Sequence, residues 1–145
     1  LFINFSSVFL GAQNQPAYPH LVLNNTGNDD FDMINITAAN LVVTTTPGEV
    51  ISIGNFFANI TNKTAGAGVP LATTAVTLTE ETDNNGANAT LKHGHTAALT
   101  DYNDDVLSTK GNRSLFFWVD VPSIGLRPQL YNATWNVTVI DDPNI

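Results

Sequence analysis

The spacing of strand-forming residues constrains the fold of this chain more than any other feature of its sequence. Residues with high strand propensity occur in short runs separated by Gly, Asn, Asp and Pro, and no window has a sustained helical period. The separating segments include turn signals such as TPGE from Thr46 and DNNG from Asp83. The runs that we predict to be strands are 2–10, 20–23, 31–43 with a break, 50–58, 75–80, 89–92, 114–121 and 131–140.

Strands at this regular spacing predict an all-β fold, an Ig-like or jelly-roll-like β-sandwich of about eight strands. The run LFFWVDV from Leu115 is apolar on both faces, which is typical of a central strand covered on both sides. Residues 11–19 (GAQNQPAYP) contain two prolines, one glycine and no charge, and this composition favours a linker. The predicted organisation is therefore an N-terminal strand at 1–10, a linker at 11–19 and a β-sandwich domain at 20–145.

Composition excludes several classes of function. The chain has no cysteine, so it has neither disulfides nor thiolate ligands. Thirteen acidic residues against five scattered basic ones give a net charge of −8, which makes nucleic acid and anionic lipid surfaces poor partners. No apolar stretch approaches the roughly 18 residues of a membrane span. We interpret the interrupted apolar segment LFINFSSVFL at the start as mature sequence, and the lack of an initial Met as typical of a processed secreted product.

The chain contains nine N-x-[ST] sequons, whereas random placement of its 18 Asn among 24 Ser and Thr predicts about three. Alternation along predicted strands agrees with their use: in the run from Tyr131 to Val139, both acceptors and their hydroxyl partners fall on the polar face. A polar strand face without glycans is the alternative for each strand taken alone. We predict covalent N-glycans, and hence an extracellular or cell-surface location, with the acceptors Asn4, Asn24, Asn35, Asn59, Asn62, Asn88, Asn112, Asn132 and Asn136.

Two short patterns in the sequence resemble metal sites only in part. Asp101, Asn103 and Asp105 have calcium-loop spacing, but Val106 stands where Gly is needed and Asn112 where a bidentate Glu belongs. The acidic turn with Asp29, Asp30 and Asp32, and the histidines His20, His93 and His95, likewise lack a complete ligand set. We interpret all of these as solvated surface residues and predict no metal.

Sequence motifs of catalysis are also missing. The chain has no GxSxG, no HExxH and no phosphate-cradling glycine loop, and Glu occurs only at positions 49, 80 and 81. We therefore predict that the protein is not an enzyme, has no catalytic residues and needs no cofactor.

Two segments resemble the β-sandwich subunits of archaeal surface filaments, the bundling pili and threads, which are similar in plan to TasA-like biofilm fibres. One is LVLNNTGNDDFDMINITAANL from Leu21, and the other is SLFFWVDVP from Ser114 followed by LYNATWNVTV. The resemblance implies assembly by donor-strand complementation, in which the N-terminal strand of one subunit completes a sheet of the next. It would assign the donor role to Leu1, Ile3, Phe5 and Phe9, with Asn4 and Ser6 facing outward.

The resemblance thus implies a head-to-tail homopolymer that serves adhesion or biofilm structure and contacts surfaces or other cells. Two alternatives remain at this point: a carbohydrate-binding or adhesin module with exposed aromatics such as Tyr18 or Tyr102, and a domain of a surface-layer glycoprotein. The N-terminal segment discriminates between them, because only a filament subunit needs residues 1–10 between molecules.

Overall fold

The regular secondary structure of the described residues consists almost entirely of short β-strands. The computed structural model describes residues 2–6, 8–27, 30–43, 48–62, 68–80, 86–91 and 111–141. The strands in these residues are β1 (Gln15–Pro16), β2 (Leu21–Asn24), β3 (Phe31–Thr37), β4 (Leu41–Val42), β5 (Val50–Ile51), β6 (Phe56–Asn59), β7 (Val69–Pro70), β8 (Val76–Thr77), β9 (Asn112–Val119) and β10 (Asn136–Asp141). One 3-10 turn, Ile53–Asn55, precedes β6. The predicted all-β fold is confirmed, and none of the described segments forms a helix with the length and apolar character needed to cross a membrane.

The larger sheet is organised around β9. One side of β9 pairs with β6, which in turn pairs with β7. The other side pairs with β1 and then with β2, which follow each other along the same edge. Leu115 and Phe117 point into the core, and Trp118 is buried on the opposite face. The prediction of a central strand apolar on both faces is confirmed by this position.

The second sheet has the order β10-β3-β8, with β3 in the middle. The β3–β10 pairing runs from Thr37 opposite Asn136 to Phe31 opposite Asp141, with a bulge near the end of β10. Ile34 and Ile36 are fully buried between the sheets, while the intervening polar residues lie on the outer face. A small third sheet pairs β4 with β5, and Val42 of β4 also bridges to Asn132.

The core lies between the two larger sheets. Its largest fully buried side chains come from both of them, so burial of apolar surface holds the sandwich together. They include Ile34, Ile36, Leu78, Leu115, Phe56 and Phe117.

The N-terminal region differs from its predicted organisation. Residues 2–6 and 8–10 are not in a strand, and the predicted linker instead contains β1. Val121 donates to the Ala12 carbonyl (2.7 Å), and Ala17 donates to the Phe117 carbonyl (2.8 Å). Pro16 fits this position because proline is tolerated at a sheet edge, where a missing N–H leaves no ladder bond broken. The segment predicted as a linker from its proline content therefore includes a short edge strand.

Several predicted strands are shorter in the structure. The predicted strand 75–80 contains only β8, and the strand predicted at 131–140 begins at Asn136. The described part of the predicted strand 89–92 forms only one isolated bridge, from Leu91 to Phe31. Propensity identified these runs, but strand length depends on how long a partner strand continues alongside.

Candidate functional site

An apolar groove separates the facing edges of β2 and β10. β2 is hydrogen-bonded to β9, and β10 to β3; no strand among the described residues pairs with the other edge of either. Two neighbouring cavities of about 410 and 300 Å³ lie between them, and Leu23 and Val137 line both. We call this the β2–β10 groove. One part is lined by Leu23, Asn24, Asn25, Thr26, Gly27, Phe31, Leu91, Val137 and Val139, the other by Ile3, Leu21, Leu23, Ile36, Phe117, Trp135 and Val137.

The chemistry of this groove is that of a site for extended, apolar chain. None of its lining residues is charged. The edges of β2 and β10 present backbone N–H and C=O groups at its walls, and such edges are templates for an added strand. Trp135 closes one end: its Nε1 donates to the Ala39 carbonyl (2.8 Å), and its ring lies edge-on to Phe56 at 5.2 Å between centroids.

The N-terminal segment, residues 2–10, lies against the same end of the groove. Ile3 lines the groove, and the Phe5 ring packs edge-on against Phe56 with centroids 5.4 Å apart. Two backbone hydrogen bonds tie the described part of this segment to the rest of the chain. One is a turn bond to Ala12, and in the other the Tyr18 N–H donates to the Asn4 carbonyl (2.8 Å). The segment is therefore held mainly by a few apolar side chains.

The predicted donor residues do not share one face in the structure. Ile3 and Phe5 pack on the core, whereas Phe9 is 83% exposed and Leu1 lies outside the described residues. Ser6 causes the change of phase: it has a φ of 51° and its N–H bonds to the Asn4 side chain (2.9 Å), which interrupts the two-residue alternation. Val8 packs inward as a result, whereas Phe2, which precedes Ser6, is 90% exposed on the face opposite to Ile3.

The structure places eight of the nine acceptor asparagines at exposed or half-exposed positions, and one in the interior. Asn59 is only 2% exposed, so the prediction that it faces solvent is wrong. β6 has a partner strand on each side, and Asn59 lies opposite Phe116 of β9. Its Oδ1 accepts hydrogen bonds from the N–H (3.2 Å) and the hydroxyl (3.3 Å) of Thr61, the hydroxyl residue of its own sequon.

Two pairs of sequons meet across antiparallel strands. Asn24 at the end of β2 lies directly opposite Asn112 at the start of β9. On β3 and β10 each acceptor instead faces a hydroxyl: Asn136 lies opposite Thr37, and Asn35 opposite Thr138. Asn35 is also held by the Thr77 hydroxyl, which donates to its Oδ1 at 2.7 Å.

A carboxylate network fixes the loop that precedes β10. Glu49 Oε2 accepts from the Tyr131 hydroxyl (2.7 Å), the Arg127 N–H (3.1 Å) and the Gln129 side chain, and Oε1 pairs with Arg127 Nε (2.6 Å). These donors, Tyr131 foremost, hold the pKa of the Glu49 carboxyl below its ordinary value. All of the contacts are internal to the protein, so the network positions the loop.

The other candidate residues are not brought together, and the interpretation of Asp30 as a solvated surface residue is wrong, because this residue is only 1% exposed. Among the described residues, no three His, Asp or Glu side chains are grouped so that they would hold a metal ion. His93, His95, Asp29, Tyr102 and the Asp101–Asp105 pattern lie outside the described residues. His20 is exposed with its ring 4.9 Å from that of Phe116, and Tyr18 is 78% exposed.

Sequence reasoning identified the inward face of β10 but missed the groove between β2 and β10. Alternation marks Val137 and Val139 as inward residues, and both are half-buried. It does not reveal that Leu23 is their neighbour, because that contact depends on which strands lie side by side. A scan against protein-family models found no match to this chain, and searches of curated proteins and of solved structures found none either.

Proposed function

We propose that this protein is a structural subunit of an extracellular, N-glycosylated filament, in which the N-terminal segment of one copy fills the β2–β10 groove of the next. The observation that carries the proposal is the groove itself, an uncharged and mainly apolar channel between two strand edges that lack partners among the described residues. An added strand would satisfy those edges and bury its own apolar side chains, as in other cases of strand addition.

The N-terminal segment suits the role of occupant. It carries Phe2 and Phe9 in solvent and is held on its own subunit by few contacts, whereas residues from Gly11 onward are bonded to the end of β9. Nine extended residues reach about 30 Å, which is long enough to enter a neighbouring molecule. Gly11 has a φ of 75°, a conformation that favours glycine, at the junction between the movable and the fixed part.

Exchange between copies costs little because it reproduces contacts that the segment makes within one chain. Ile3 and Phe5 would meet the same kind of surface in a second copy. Burial of Phe9, which in a regular added strand shares a face with Ile3 and Phe5, would add roughly 1.5–3 kcal/mol before the cost of association. A head-to-tail contact of this kind does not close on itself, so repetition gives a fibre.

Glycans complete the proposal. Only 12% of the residues are charged, and the exposed acceptors are distributed over both sheets and the connecting loops. Hydrophilic glycans on this surface would keep the polymer soluble outside the cell. We assign no catalytic role to any residue, and the functions that fit such a polymer are adhesion and biofilm structure, in line with the resemblance to archaeal surface filaments.

A cysteine cross-link tests the proposal directly, because the natural chain has no cysteine. Ile3 and Leu23 line the same cavity. In the double variant Ile3→Cys/Leu23→Cys, exchange predicts a ladder of disulfide-linked oligomers on a non-reducing gel and filaments in electron micrographs. A segment that stays on its own domain gives a cross-linked monomer instead.

The matched control is Ile3→Cys/Ile140→Cys. Ile140 is on β10 but on the face away from the groove, so we expect no regular ladder from it. Cross-linked monomers together with monodisperse natural protein would contradict the filament proposal. That result would give priority to the adhesin alternative and to the exposed Tyr18.

A further inference from the structure

The pairing of β2 with β9 brings two glycan acceptors to one spot. Asn24 and Asn112 are direct cross-strand partners, and both side chains are exposed. Directly opposed residues in an antiparallel pair have Cβ atoms about 4.5–5.5 Å apart and point to the same face. Val22 and Ser114 are the next pair on that face, which is opposite to the core-facing Leu21 and Leu115.

No other strand-paired acceptor in the described part of the chain has this arrangement. Asn88 lies opposite Thr79, and Asn132 opposite Val42. Asn35 and Asn136 are diagonal, two positions apart in register, which separates the two residues by roughly 7–8 Å and their Cβ atoms by somewhat less. Glycans on Asn24 and Asn112 would therefore compete for the same space, whereas glycans on the other strand-paired acceptors would not.

We infer that Asn24 and Asn112 act as one composite acceptor site that carries a single N-glycan. The inference rests on the proposed glycosylation. In the transfer step, the amide Nδ2 forms a bond to the anomeric carbon of a glycosyl phosphate donor while the bond from that carbon to the phosphate oxygen breaks. The phosphate leaves with the electron pair, and the Nδ2 proton passes to a base of the transferase.

Steric access explains why only one transfer takes place. A transferase must enclose the acceptor amide and its sequon, and Asn24 and Asn112 are separated by less than the width of one sugar chain and its enzyme. A glycan on either residue covers the other amide. The two acceptors differ in their surroundings, since Thr26 of the first sequon is exposed and Ser114 of the second is half-buried within β9. Either acceptor nevertheless serves when the other is removed.

The test is to count glycans by intact mass on protein from a host that glycosylates it. One glycan per pair predicts that Asn112→Gln and Thr26→Ala each leave the number of glycans unchanged, and that the double variant loses one. Thr26→Ala removes the first sequon but keeps the Asn24 side chain, so it separates modification from folding. Glycopeptide analysis should show occupancy moving from one asparagine to the other.

The control is Asn88→Gln, because Asn88 has no acceptor opposite and its removal should lower the number of glycans by one. Independent sites would lose one glycan in each single variant and two in the double, and molecules with both asparagines modified would predominate. That result overturns the inference and leaves the proposed function intact. Protein without glycans at any sequon overturns the glycosylation and this inference together, while the cross-linking ladder reports separately on the filament.

Discussion

At the scale of single residues, Asn59 shows how a sequence motif is overruled by its environment. Its sequon is as good as that of Asn62, three residues later, but Asn59 is buried and Asn62 is exposed. The Asn59 amide is bound to the backbone and hydroxyl of Thr61, so it serves the end of β6 as a structural group. A glycan on it would not fit beside β9.

We therefore predict that glycopeptide mass spectrometry finds Asn62 modified and Asn59 unmodified. Asn59→Ala should lower the free energy of unfolding by about 1–3 kcal/mol, because buried groups around Thr61 lose their partner. Asn62→Ala should change the stability of the non-glycosylated chain by less than about 0.5 kcal/mol. The two can be compared by denaturant unfolding, and a glycan on Asn59 in folded protein would show that the buried amide is not needed.

The Glu49 carboxylate gives a second prediction at this scale. Its pKa lies below the ordinary value chiefly because the Tyr131 hydroxyl donates to it, so Tyr131→Phe should raise that pKa. NMR titration of the Glu49 carboxyl carbon measures the change. A pKa that is depressed in the folded state stabilises the fold above the ordinary pKa of Glu, and this contribution disappears as the pH falls through the lowered value. Tyr131→Phe should make the free energy of unfolding depend less on pH in the acid range. An unchanged Glu49 titration would exclude the Tyr131 hydroxyl as the main cause of the lowered pKa.

At the scale of elements, one face of β10 lines the groove and the other face points away from it. Val139 faces the β2–β10 groove, and its neighbour Ile140 points the other way. We predict that Val139→Asn abolishes or strongly slows filament growth, because a polar amide in the groove opposes burial of an apolar strand. Light scattering and electron microscopy follow the growth.

Ile140→Asn is the matched control, because it makes the same chemical change on the outer face and should leave growth rates close to those of the natural chain. Far-ultraviolet circular dichroism of both variants separates loss of the groove from loss of the fold. If filaments of the two variants grow equally fast, the groove takes no part in assembly.

Elements also define what the sequence predicts well. Strict alternation identified the buried Ile34 and Ile36 and the outward Asn136 and Thr138, because a half-buried strand has a period of two. The same rule failed for Asn59, which lies beside Phe116 of the neighbouring strand and is only 2% exposed. It failed again at Ser6, where a left-handed residue shifts the phase. Alternation describes a regular strand with one dry face, and these two positions do not meet that condition.

At the scale of the whole molecule, the groove follows from topology and was not predictable from local pattern. It exists because β2 and β10 belong to different sheets and end up beside each other without pairing, and residues more than a hundred positions apart form its walls. Binary pattern predicts that each strand has an apolar face, but the neighbours of an edge strand are decided by the packing of both sheets.

The proposed exchange makes a prediction about the stability of the whole molecule. A chain lacking residues 1–10 loses Ile3, Phe5 and Val8 from its core surface and should unfold at a lower temperature than the full chain. A synthetic peptide of residues 1–10 should raise its Tm progressively with peptide concentration, because only the folded form binds the peptide.

A peptide in which Ile3 and Phe5 are both replaced by Ser is the control for this experiment, and we expect it to leave the Tm unchanged. If the natural peptide has no more effect than this control, the groove does not accept the segment in trans.

The hydrogen bonds between residues 11–17 and the end of β9 determine where a mechanical load would enter the subunit. In a filament of exchanged segments, tension reaches each domain through residue 10 and passes to Gly11, Ala12 and Ala17, which are bonded to residues 117–122. These residues run antiparallel to the central strand, so a pull directed along it loads the bonds together in shear and does not peel them apart singly. In the proposed filament, the strand that organises the sheet would thereby also carry the tension.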